Sequence, residues 1–532
     1  MYLTQPLHRA LQQYPDRAAT VHGGRTRDFA THVGRVARLA AGLRSLGVAP
    51  GDRVAMYALN SDRYLEHLMA VPWADAVLAP VNTRWAHAEV ASALNDCDAR
   101  LLIVDDAFAA SVPALRGSCP GVRHVVYAGE GPVPEGCTGY EELIAASRPA
   151  ADARRRGDAP AALFYTGGTT GAPKGVVLSH ANLLTSALGC LATGFLATPG
   201  GRFLHAAPMF HLGDLAHWVM QSVAGNTQVT VDGFDPPALL AAVPAHRVTD
   251  LFLVPTMVRL LLDHPDFDAG ALAGLRRLVY AASPMPGEVL DRLTALLPHV
   301  ELVQAYGMTE LSPAVTLLSP ADHTGPHRYS AGRAAPHAEV RVLAPDGTEV
   351  PPGQVGEVVC RGGHVMRGYW GRPGQTAEAV RDGWLRTGDA GRLDGDGYLY
   401  VVDRIKDMII TGGENVWSAE VENALHEHPS VAACAVIAVP DERYGERVHA
   451  VVVAAAGRRV TAAELDGHLR GLLAGYKLPR GYDFLDELPL SGAGKVLKNR
   501  LRERYRAPAA QAPSQAAAQT VPPSVPQTAE EE

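Results

Sequence analysis

The sequence lacks the features that direct a chain into or across a membrane. No apolar run reaches the roughly 18 residues of a spanning helix, and even the stretch 250–263 is interrupted by Pro255 and Arg259. Residues 1–20 lack the apolar core of a secretory signal peptide. The six cysteines are scattered without a CxxC pair, which excludes a cysteine-based zinc cluster or a disulfide framework and favours a reducing compartment. We therefore predict a cytoplasmic protein without a transmembrane segment.

Excess positive charge is also missing. The chain of 532 residues has 48 basic and 56 acidic side chains, and no basic patch of the kind that binds nucleic acid. Lysine is scarcer still, with five among the 48 basic residues: Lys174, Lys406, Lys477, Lys495 and Lys498. A GC-rich genome explains a general preference for Arg. Against that background each remaining Lys is a candidate for work that needs a compact cation on a flexible stem.

The first 330 residues alternate between helical and extended patterns. Apolar residues recur at helical spacing from Val33 to Leu46, and Gly47 stands where a C-terminal cap belongs. A capped helix is predicted over Ser61–Ala70. Strands are predicted over Arg53–Ala58, Ala76–Val81, Ala161–Thr166, Leu278–Ala282 and Glu301–Ala305. This alternation predicts an α/β fold of mostly parallel sheets covered by helices.

After about residue 330 the pattern changes to short strands separated by Gly and Pro. A hairpin with its turn at Asp394–Gly397 is typical of a small β-barrel or antiparallel sheet that closes the large domain. From residue 407 a compact α+β pattern follows, and residues 508–532 have too few large apolar side chains to offset their ordering entropy. The predicted organisation is an N-terminal domain, its β-rich part, a small C-terminal domain and a disordered tail: residues 1–403, 330–403, 407–507 and 508–532.

The strongest local motif is the segment Tyr165–Gly175, YTGGTTGAPKG. A strand leads into glycines and hydroxyls that end in Lys174, so backbone N–H groups and a cation can face phosphate oxygens. It is not a Walker A loop, because Lys174 follows Pro173 and precedes Gly175. An ordinary flexible Gly/Thr turn is the alternative for this pattern taken alone.

As a whole string, this segment resembles the phosphate loop of the adenylate-forming superfamily. That superfamily includes acyl-CoA synthetases, firefly-type luciferases and nonribosomal peptide adenylation domains. Gly167 stands where the family most often has Ser, which removes one hydroxyl. The resemblance implies that this loop contacts the phosphates of ATP through Thr166, Gly167, Gly168, Thr169, Thr170 and Lys174.

Further motifs follow in the family's order. Gln304–Glu310, QAYGMTE, resembles the adenylate motif, which implies that Tyr306 packs on adenine, Thr309 bonds the α-phosphate and Glu310 helps to hold Mg²⁺. Without the resemblance, a Glu at a strand end would be read as a surface residue. The same resemblance adds the nucleotide contacts Gly307, Met308, Ala282, Ser283 and Pro284, and the acyl-pocket residues Ala281 and Ala305. Ala281 and Ala282 replace the family's usual glycines.

The second half of the chain continues the resemblance. The segment 384–389, WLRTGD, implies that Asp389 binds the ribose hydroxyls, and Arg404 matches an Arg that reaches the ribose or phosphate. Residues 404–406 match the interdomain hinge, with Lys406 at the hinge position. The segment 488–495, LPLSGAGK, resembles the loop that carries the catalytic lysine, here Lys495, although Leu490 replaces a residue that is often polar. The resemblance thus implies a C-terminal domain that moves.

Two segments indicate which branch of the superfamily applies. His211, in HAAPMFH, occupies the position at which amino-acid adenylation domains carry an Asp that pairs with the substrate ammonium. A histidine at this position resembles acyl- and aryl-CoA synthetases instead. The alternative is an ordinary histidine of the core or of a helix edge. Asp214, three residues further on, could still bind a polar group of the substrate. The resemblance places His211 among the catalytic and acyl-pocket residues. Residues 411–420 resemble the CoA tunnel, which implies contacts from Gly412, Gly413 and Glu414, with Ser418 in place of the usual Pro.

Taken together, the motifs predict an ATP- and Mg²⁺-dependent acyl-CoA synthetase, similar to bacterial fatty-acid and acyl-CoA synthetases. Such an enzyme activates a hydrophobic carboxylic acid as acyl-AMP, releases pyrophosphate and transfers the acyl group to CoA. One alternative is an adenylating enzyme that passes the acyl group to another acceptor. Others are a luciferase-like monooxygenase and a nucleotide-binding module without activity. The sequence leaves open the oligomeric state and whether the acid is a fatty, aryl or bulky polycyclic one.

Overall fold

The computed structural model describes residues 1–166, 173–490 and 496–505. The predicted tail, residues 508–532, lies outside this range. The helices of the described part are α1 Gln5–Gln13, α2 Phe29–Ser45, α3 Asp62–Trp73, α4 His87–Asp96, α5 Val112–Ser118, α6 Tyr140–Ala146, α7 His180–Leu191, α8 Leu212–Ala224, α9 Pro236–Ala245, α10 Pro255–Leu262, α11 Gly287–Leu296, α12 Pro373–Ala379, α13 Ser418–His426, α14 Ala462–Arg470 and α15 Lys498–Glu503.

The strands are short and numerous. In chain order they are β1 Ala18–His22, β2 Arg25–Asp28, β3 Arg53–Tyr57, β4 Val77–Pro80, β5 Ala99–Val104, β6 His124–Tyr127, β7 Thr138–Gly139, β8 Pro160–Thr166, β9 Lys174–Ser179, β10 Arg202–His205, β11 Thr227–Thr230, β12 Asp250–Leu253, β13 Arg277–Ala281, β14 Glu301–Gly307, β15 Ala314–Leu318, β16 Arg333–Ala334, β17 Glu339–Leu343, β18 Gly356–Arg361, β19 Gly368–Tyr369, β20 Val380–Arg381, β21 Trp384–Leu393, β22 Leu399–Arg404, β23 Ile409–Thr411, β24 Glu414–Val416, β25 Val431–Asp441, β26 Gly445–Ala454 and β27 Gly481–Phe484.

Two large sheets form the body of the N-terminal part. The first has the strand order β16-β15-β14-β13-β12-β10-β11-β1-β2, and the second has the order β19-β9-β8-β4-β3-β5-β6-β7. The strands from β14 to β1 in the first sheet and from β8 to β7 in the second pair in parallel, with antiparallel strands only at the edges. Helices cover these sheets, and the predicted α/β fold is confirmed.

The ends of the early helices follow the predicted local chemistry. The Ser61 side chain caps α3 by accepting a hydrogen bond from the Tyr64 backbone N–H, at 3.1 Å. Gly47 follows α2 with φ of +85°, a conformation that glycine adopts without a steric penalty. The predicted strands over 53–58, 76–81, 161–166, 278–282 and 301–305 all occur, with ends that shift by one or two residues.

The β-rich part is an antiparallel sheet of β17, β18, β20, β21 and β22. The hairpin of β21 and β22 turns at residues 394–397, as predicted, and Gly397 there has φ of +81°. Two short strands from the same part of the chain belong to the large sheets instead. Strand β16 pairs with β15 in the first large sheet, and β19 pairs with β9 in the second. The β-rich part is thereby connected to both large sheets.

The C-terminal part has its own core. Strands β23–β27 form one sheet, and helices α13–α15 pack against it around two apolar clusters that contain no residue before Ile409. A large N-terminal unit and a smaller C-terminal one are therefore present, while the exact domain bounds and the mobility of the smaller unit stay predictions. No helix in the described ranges is both long and apolar enough to cross a bilayer.

Candidate active site

The predicted phosphate loop connects an antiparallel strand pair. Thr166 at the end of β8 pairs with Lys174 at the start of β9, so both ends of the loop are fixed opposite each other. The Lys174 ammonium lies 5.2 Å from the centre of the Tyr369 ring, a cation–π contact. Gly167, Gly168, Thr169 and Thr170 lie outside the described residues. The structure thus holds the two ends of this loop opposite each other and places Lys174 against Tyr369 of β19.

The end of β14 brings three predicted nucleotide residues together. The Tyr306 hydroxyl donates to Asp389 Oδ2 at 2.7 Å, and Arg404 Nε lies 2.7 Å from Asp389 Oδ1. Burial and the Asp389 carboxylate hold the pKa of Tyr306 well above its usual value, so it stays a donor. Gly307 follows in close contact, because a Cβ there would lie 1.8 Å from the Pro313 carbonyl oxygen. The three side chains form one hydrogen-bonded group although they come from three strands.

Glu310 lies in the short 3₁₀ turn Thr309–Leu311, directly after β14 and Met308. Its residue exposure is 6%, and its Oε1 accepts a hydrogen bond from the Tyr369 hydroxyl at 2.9 Å. Burial, together with Glu310, raises the pKa of Tyr369 above its usual value, so this hydroxyl remains protonated and donating. Tyr369 therefore contacts both Glu310 and Lys174. It joins two motifs that sequence reasoning treated separately.

The residues after β13 are exposed and strained. Ala282 has φ of +78°, in the left-handed region that favours glycine, and Ser283 and Pro284 follow it at the surface. Ala282, which replaces the family's usual glycine, thus has a backbone conformation that favours glycine. A non-glycine residue in this conformation stores about 1 kcal/mol of strain. Such strain is commonly found at ligand-binding sites.

An apolar cavity lies beside these strand ends. Ala281 and Ala305, both predicted for the acyl pocket, line it together with Phe252 and with residues of α7 and α8. His211, at the N-cap of α8, is not among the lining residues of the described part, whereas His217 on the same helix is. Sequence reasoning missed His217. No local pattern in the sequence distinguishes it from an ordinary core histidine.

The Asp214 carboxylate, which the sequence left open as a contact for a polar substrate, is engaged elsewhere. Its Oδ2 lies 2.6 Å from His205 Nδ1, and His205 Nε2 lies 3.0 Å from Gln228 Oε1. Both members of the Asp214–His205 pair are fully buried, and neither lines the apolar cavity. Burial raises the pKa of Asp214 above its ordinary value. This carboxylate therefore belongs to the interior of the fold.

The predicted hinge and CoA residues lie at the start of the C-terminal part. Lys406 is exposed in the 3₁₀ turn Ile405–Asp407, directly after Arg404. Gly412 and Gly413, with φ of +61° and +87°, form the two-residue turn between β23 and β24. Glu414 follows them at the surface. Lys495 lies outside the described residues.

Ser418, the departure from the family's Pro, has a defined set of contacts. Its hydroxyl lies 2.6 Å from Asp403 Oδ2, before the predicted hinge, and 2.6 Å from Lys498 Nζ, on α15. The Ala419 backbone N–H also donates to Asp403 Oδ2, at 3.1 Å. A proline at position 418 would remove the hydroxyl that links these groups. Ser418 therefore connects the end of β22 to the C-terminal part.

The donor set of the site suits Mg²⁺ bound together with phosphate. No cluster of three or more His, Cys, Asp or Glu side chains that could hold a metal occurs in residues 1–166, 173–490 or 496–505. Mg²⁺ does not need one, because it binds one or two protein carboxylates along with substrate phosphates and water. Glu310 supplies such a carboxylate, and Tyr369 fixes its orientation.

The family models for AMP-binding enzymes match most of the chain. The AMP-binding enzyme model matches residues 7–370, and the model of its C-terminal domain matches residues 420–495. Among curated relatives, a feruloyl-CoA synthase from Amycolatopsis sp is 44% identical over 94% of this chain and 98% of its own length. A fatty acid–[acyl-carrier-protein] ligase, ScoC, from Streptomyces coeruleorubidus is 37% identical over 93% of this chain and 94% of its own length.

Solved structures give the same result for the fold. ATP-bound MatB from Rhodopseudomonas palustris superimposes with a TM-score of 0.86, at 31% identity, and the match covers 95% of this chain and 99% of that one. The similarity therefore extends across both the N-terminal and C-terminal parts.

Proposed function

Because the chain belongs to the AMP-binding enzyme family and is an AMP-forming acid–thiol ligase, we propose that its substrate is a hydrophobic carboxylic acid. It activates this acid with ATP and Mg²⁺ as an acyl-adenylate and transfers the acyl group to CoA. The two relatives described above act, by their names, on a feruloyl and a fatty acyl group. A cytoplasmic location stays a prediction from the pattern of the cysteines.

The observation that carries the choice of acid is the apolar cavity beside the ends of β13 and β14. Ala281 and Ala305 line it, and the next residues along each strand, Ala282 and Tyr306, belong to the predicted nucleotide site. An acid whose carboxylate meets the nucleotide therefore extends its other end into apolar surroundings. Asp214, the carboxylate that the sequence left open as a contact for a polar substrate group, is paired with His205. An amino acid would leave its ammonium unpaired, which is costly in such a site.

The group of Tyr306, Asp389 and Arg404 supports the proposed nucleotide site. An Asp carboxylate that accepts hydrogen bonds can also accept them from ribose hydroxyls, and Arg404 neutralises its charge at 2.7 Å. The exposed segment 282–284 supplies the adenine side of this site. Thr309, Glu310 and the loop that ends at Lys174 supply its phosphate side.

In the first step of the proposed reaction, the substrate carboxylate is the nucleophile. Its oxygen forms a bond to the α-phosphorus of ATP, and the bond to the pyrophosphate oxygen breaks with its electron pair. No general base is needed, but two anions must be brought together, so positioning and cancellation of charge dominate. Lys174, Lys495 and the loop N–H groups would supply this cancellation. Mg²⁺ held by Glu310 would add charge neutralisation on the phosphates.

In the second step the CoA sulfur attacks the acyl carbonyl. The C–S bond forms, the C–O bond to AMP breaks, and the thiol proton leaves to solvent. The thiol needs the space that Lys495 occupies in the first step, so one small domain would serve the two steps in two orientations about Lys406. Gly412, Gly413 and Glu414 would then lie along the CoA path.

The experiment is ATP–pyrophosphate exchange over acids of graded length, bulk and aromaticity, with thioester formation measured after CoA is added. Hydrophobic acids should give both activities, and amino acids neither. Lys495→Ala should reduce exchange by at least about a hundredfold, because its charge is used mainly in the transition state. Lys477→Ala is the matched control, since Lys477 pairs with Glu420 in the same unit at 2.6 Å. Exchange by Lys495→Ala within a few-fold of the parent would contradict its role.

The same assay separates the alternatives. Exchange without thioester formation would indicate another acceptor, as the carrier-protein ligase relative suggests by its name. Oxygen uptake that depends on the acid and ATP would indicate a luciferase-like monooxygenase. If neither exchange nor oxygen uptake occurs with any acid, the chain is a binding module.

A further inference from the structure

His217 lines a mostly apolar cavity, in which Ser186 and Ser312 are the other polar lining residues among those described. It lies on α8, one helical turn after Gly213, and both residues face the cavity that Ala281 and Ala305 also line. Its exposure is 4%, so it is shielded from bulk solvent. The non-reacting end of an acid bound in this cavity would be in reach of the imidazole.

The imidazole has unused hydrogen-bonding capacity. Neither ring nitrogen has a hydrogen-bond partner among the described residues, and of the two Nδ1 is fully buried. An unsatisfied buried polar group costs about 1–3 kcal/mol, so a ligand that supplies the missing partner gains that much in binding. The neighbouring His205 cannot supply it, because both of its ring nitrogens are engaged, with Asp214 and Gln228.

The ring of His217 is held in place by two aromatic neighbours. It stacks on Phe203, with centroids 4.9 Å apart and planes 14° apart, and it lies 4.9 Å from the Phe252 centroid at 32°. Such packing restricts the ring from turning towards another partner. The orientation of the imidazole ring in the cavity wall is therefore restricted.

The charge of His217 decides what kind of group it can recognise. Burial, with a smaller contribution from His205, lowers the pKa of His217 to about 3. The ring is thus neutral at physiological pH, with one nitrogen as donor and the other as acceptor. A hydroxyl can both donate and accept, so it matches either nitrogen. A carboxylate or ammonium on the substrate's far end would instead lack a counter-charge in this cavity.

We propose, building on the function proposed above, that His217 determines specificity by hydrogen-bonding a neutral hydroxyl on the non-reacting end of an otherwise apolar acid. Aryl acids with a ring hydroxyl are the substrate class that combines such a hydroxyl with flat apolar surface for the aromatic wall at Phe252. A site built to bind a hydroxyl discriminates strongly against the analogue that lacks it, because the protein group is then left unpaired.

The test compares four matched acids: cinnamate, 4-methylcinnamate, 4-hydroxycinnamate and 3-hydroxycinnamate, the last of which covers the second ring position. The kcat/KM for acyl-CoA formation is measured in the parent and in His217→Phe, which keeps an aromatic ring and removes both nitrogens. The parent should prefer the better hydroxylated acid at least tenfold over 4-methylcinnamate. His217→Phe should lose this preference, so that its kcat/KM values for the hydroxylated acid and for 4-methylcinnamate lie within about threefold of each other.

The matched control is His67→Phe. His67 is also fully buried with unpartnered ring nitrogens in the described structure, but it does not line the cavity. This control should leave the substrate ratio unchanged, whatever its effect on stability. Should His217→Phe fail to fold, His217→Gln replaces it and should retain part of the preference, because its amide can still hydrogen-bond. The parent's own substrate ratio is informative in either case.

The outcomes distinguish a failure of the proposed role of His217 from a failure of the proposed function. If cinnamate is converted and the parent shows no preference for either hydroxylated acid, the role of His217 is wrong and the proposed function stands. An unchanged ratio in His217→Phe has the same meaning. If none of these acids, nor any of the graded hydrophobic acids, is adenylated by the parent, the proposed function is wrong and the role of His217 falls with it.

Discussion

The buried Lys498 joins the two sides of the predicted hinge, and its removal should destabilise the C-terminal part. Its Nζ lies 2.7 Å from Glu422 Oε1 and 2.6 Å from the Ser418 hydroxyl, which in turn bonds Asp403. The Lys498 and Glu422 side chains are 15% and 19% exposed. Lys498→Met therefore leaves the Glu422 carboxylate without the cation that it pairs with, in a largely enclosed site, and removes the donor to the Ser418 hydroxyl.

The expected loss can be estimated from this geometry. Breaking a buried ion pair by removing one partner costs about 3–5 kcal/mol, and the residual exposure of this pair favours the lower value, about 3 kcal/mol. In a unit of roughly 100 residues, 1 kcal/mol shifts Tm by about 4–8 °C. The transition of the C-terminal part should therefore fall by roughly 12–24 °C in Lys498→Met.

Differential scanning calorimetry and denaturant titration measure this loss, and a double variant tests its cause. Lys498→Met with Glu422→Gln removes both charges and should recover at least half of the lost stability, since the amide still accepts from the Val436 N–H, 2.7 Å from Oε1 in the parent. A single variant within about 1 kcal/mol of the parent would refute the reasoning. So would a double variant less stable than the single one.

The pH dependence provides a second check on the same pair. Burial raises the pKa of Glu422, and Lys498 offsets part of that increase. Without Lys498 the pKa of Glu422 should rise further, and a carboxyl with a raised folded-state pKa favours folding as the pH falls. The deficit of Lys498→Met should therefore shrink towards low pH. A deficit that grows on acidification would contradict this.

Three further predictions follow from the site and the core. Tyr369→Phe should lower kcat/KM for ATP about tenfold and the free energy of unfolding by about 1–3 kcal/mol, because it removes one charge-assisted hydrogen bond to the buried Glu310 carboxylate. An unchanged kcat/KM in steady-state kinetics would remove its positioning role. Lys406→Pro should retain pyrophosphate exchange and lose CoA transfer, because proline fixes φ at the hinge. The test measures pyrophosphate exchange and, from supplied acyl-adenylate, acyl-CoA formation. Equal retention or equal loss of both activities argues against a hinge at this position. His32 and His67 have pKa values lowered to about 3, mainly by burial. Below about pH 6.5, each should therefore lower the free energy of unfolding by about 1.4 kcal/mol for every unit by which the pH falls. Acid titration of His67→Phe should show a shallower slope of stability against pH than the parent.

Local patterns in the sequence predicted most of the fold. Periodicity and capping located α2, α3 and the central strands, because burial on one face or on both is written into consecutive residues. The motif around Glu310 was recognised through the family resemblance, because its residues alone indicate a surface Glu at a strand end.

Contacts between distant parts of the chain could not be predicted in this way. Tyr369 reaches Glu310 because β19 pairs with β9, a pairing that no local pattern announces. The use of the Ser418 hydroxyl depends on Lys498, in another helix. His217 is read as an ordinary core histidine until the cavity beside it is known. The residues that complete the site are thus those positioned by tertiary structure alone.

The pairing of β19 with β9 also orders events during synthesis. Val176 and Val177, directly after the phosphate loop, hydrogen-bond as a strand with Tyr369 and Gly368, and the Trp370 N–H donates to the Gly175 carbonyl at 2.7 Å. A nascent chain that has not reached Trp370 therefore has β9 as an open sheet edge, which is a template for pairing with other chains. Chaperone protection of the growing chain should be needed until this late strand covers that edge. A fragment that ends before residue 368 is accordingly a poor choice for expressing the nucleotide site by itself.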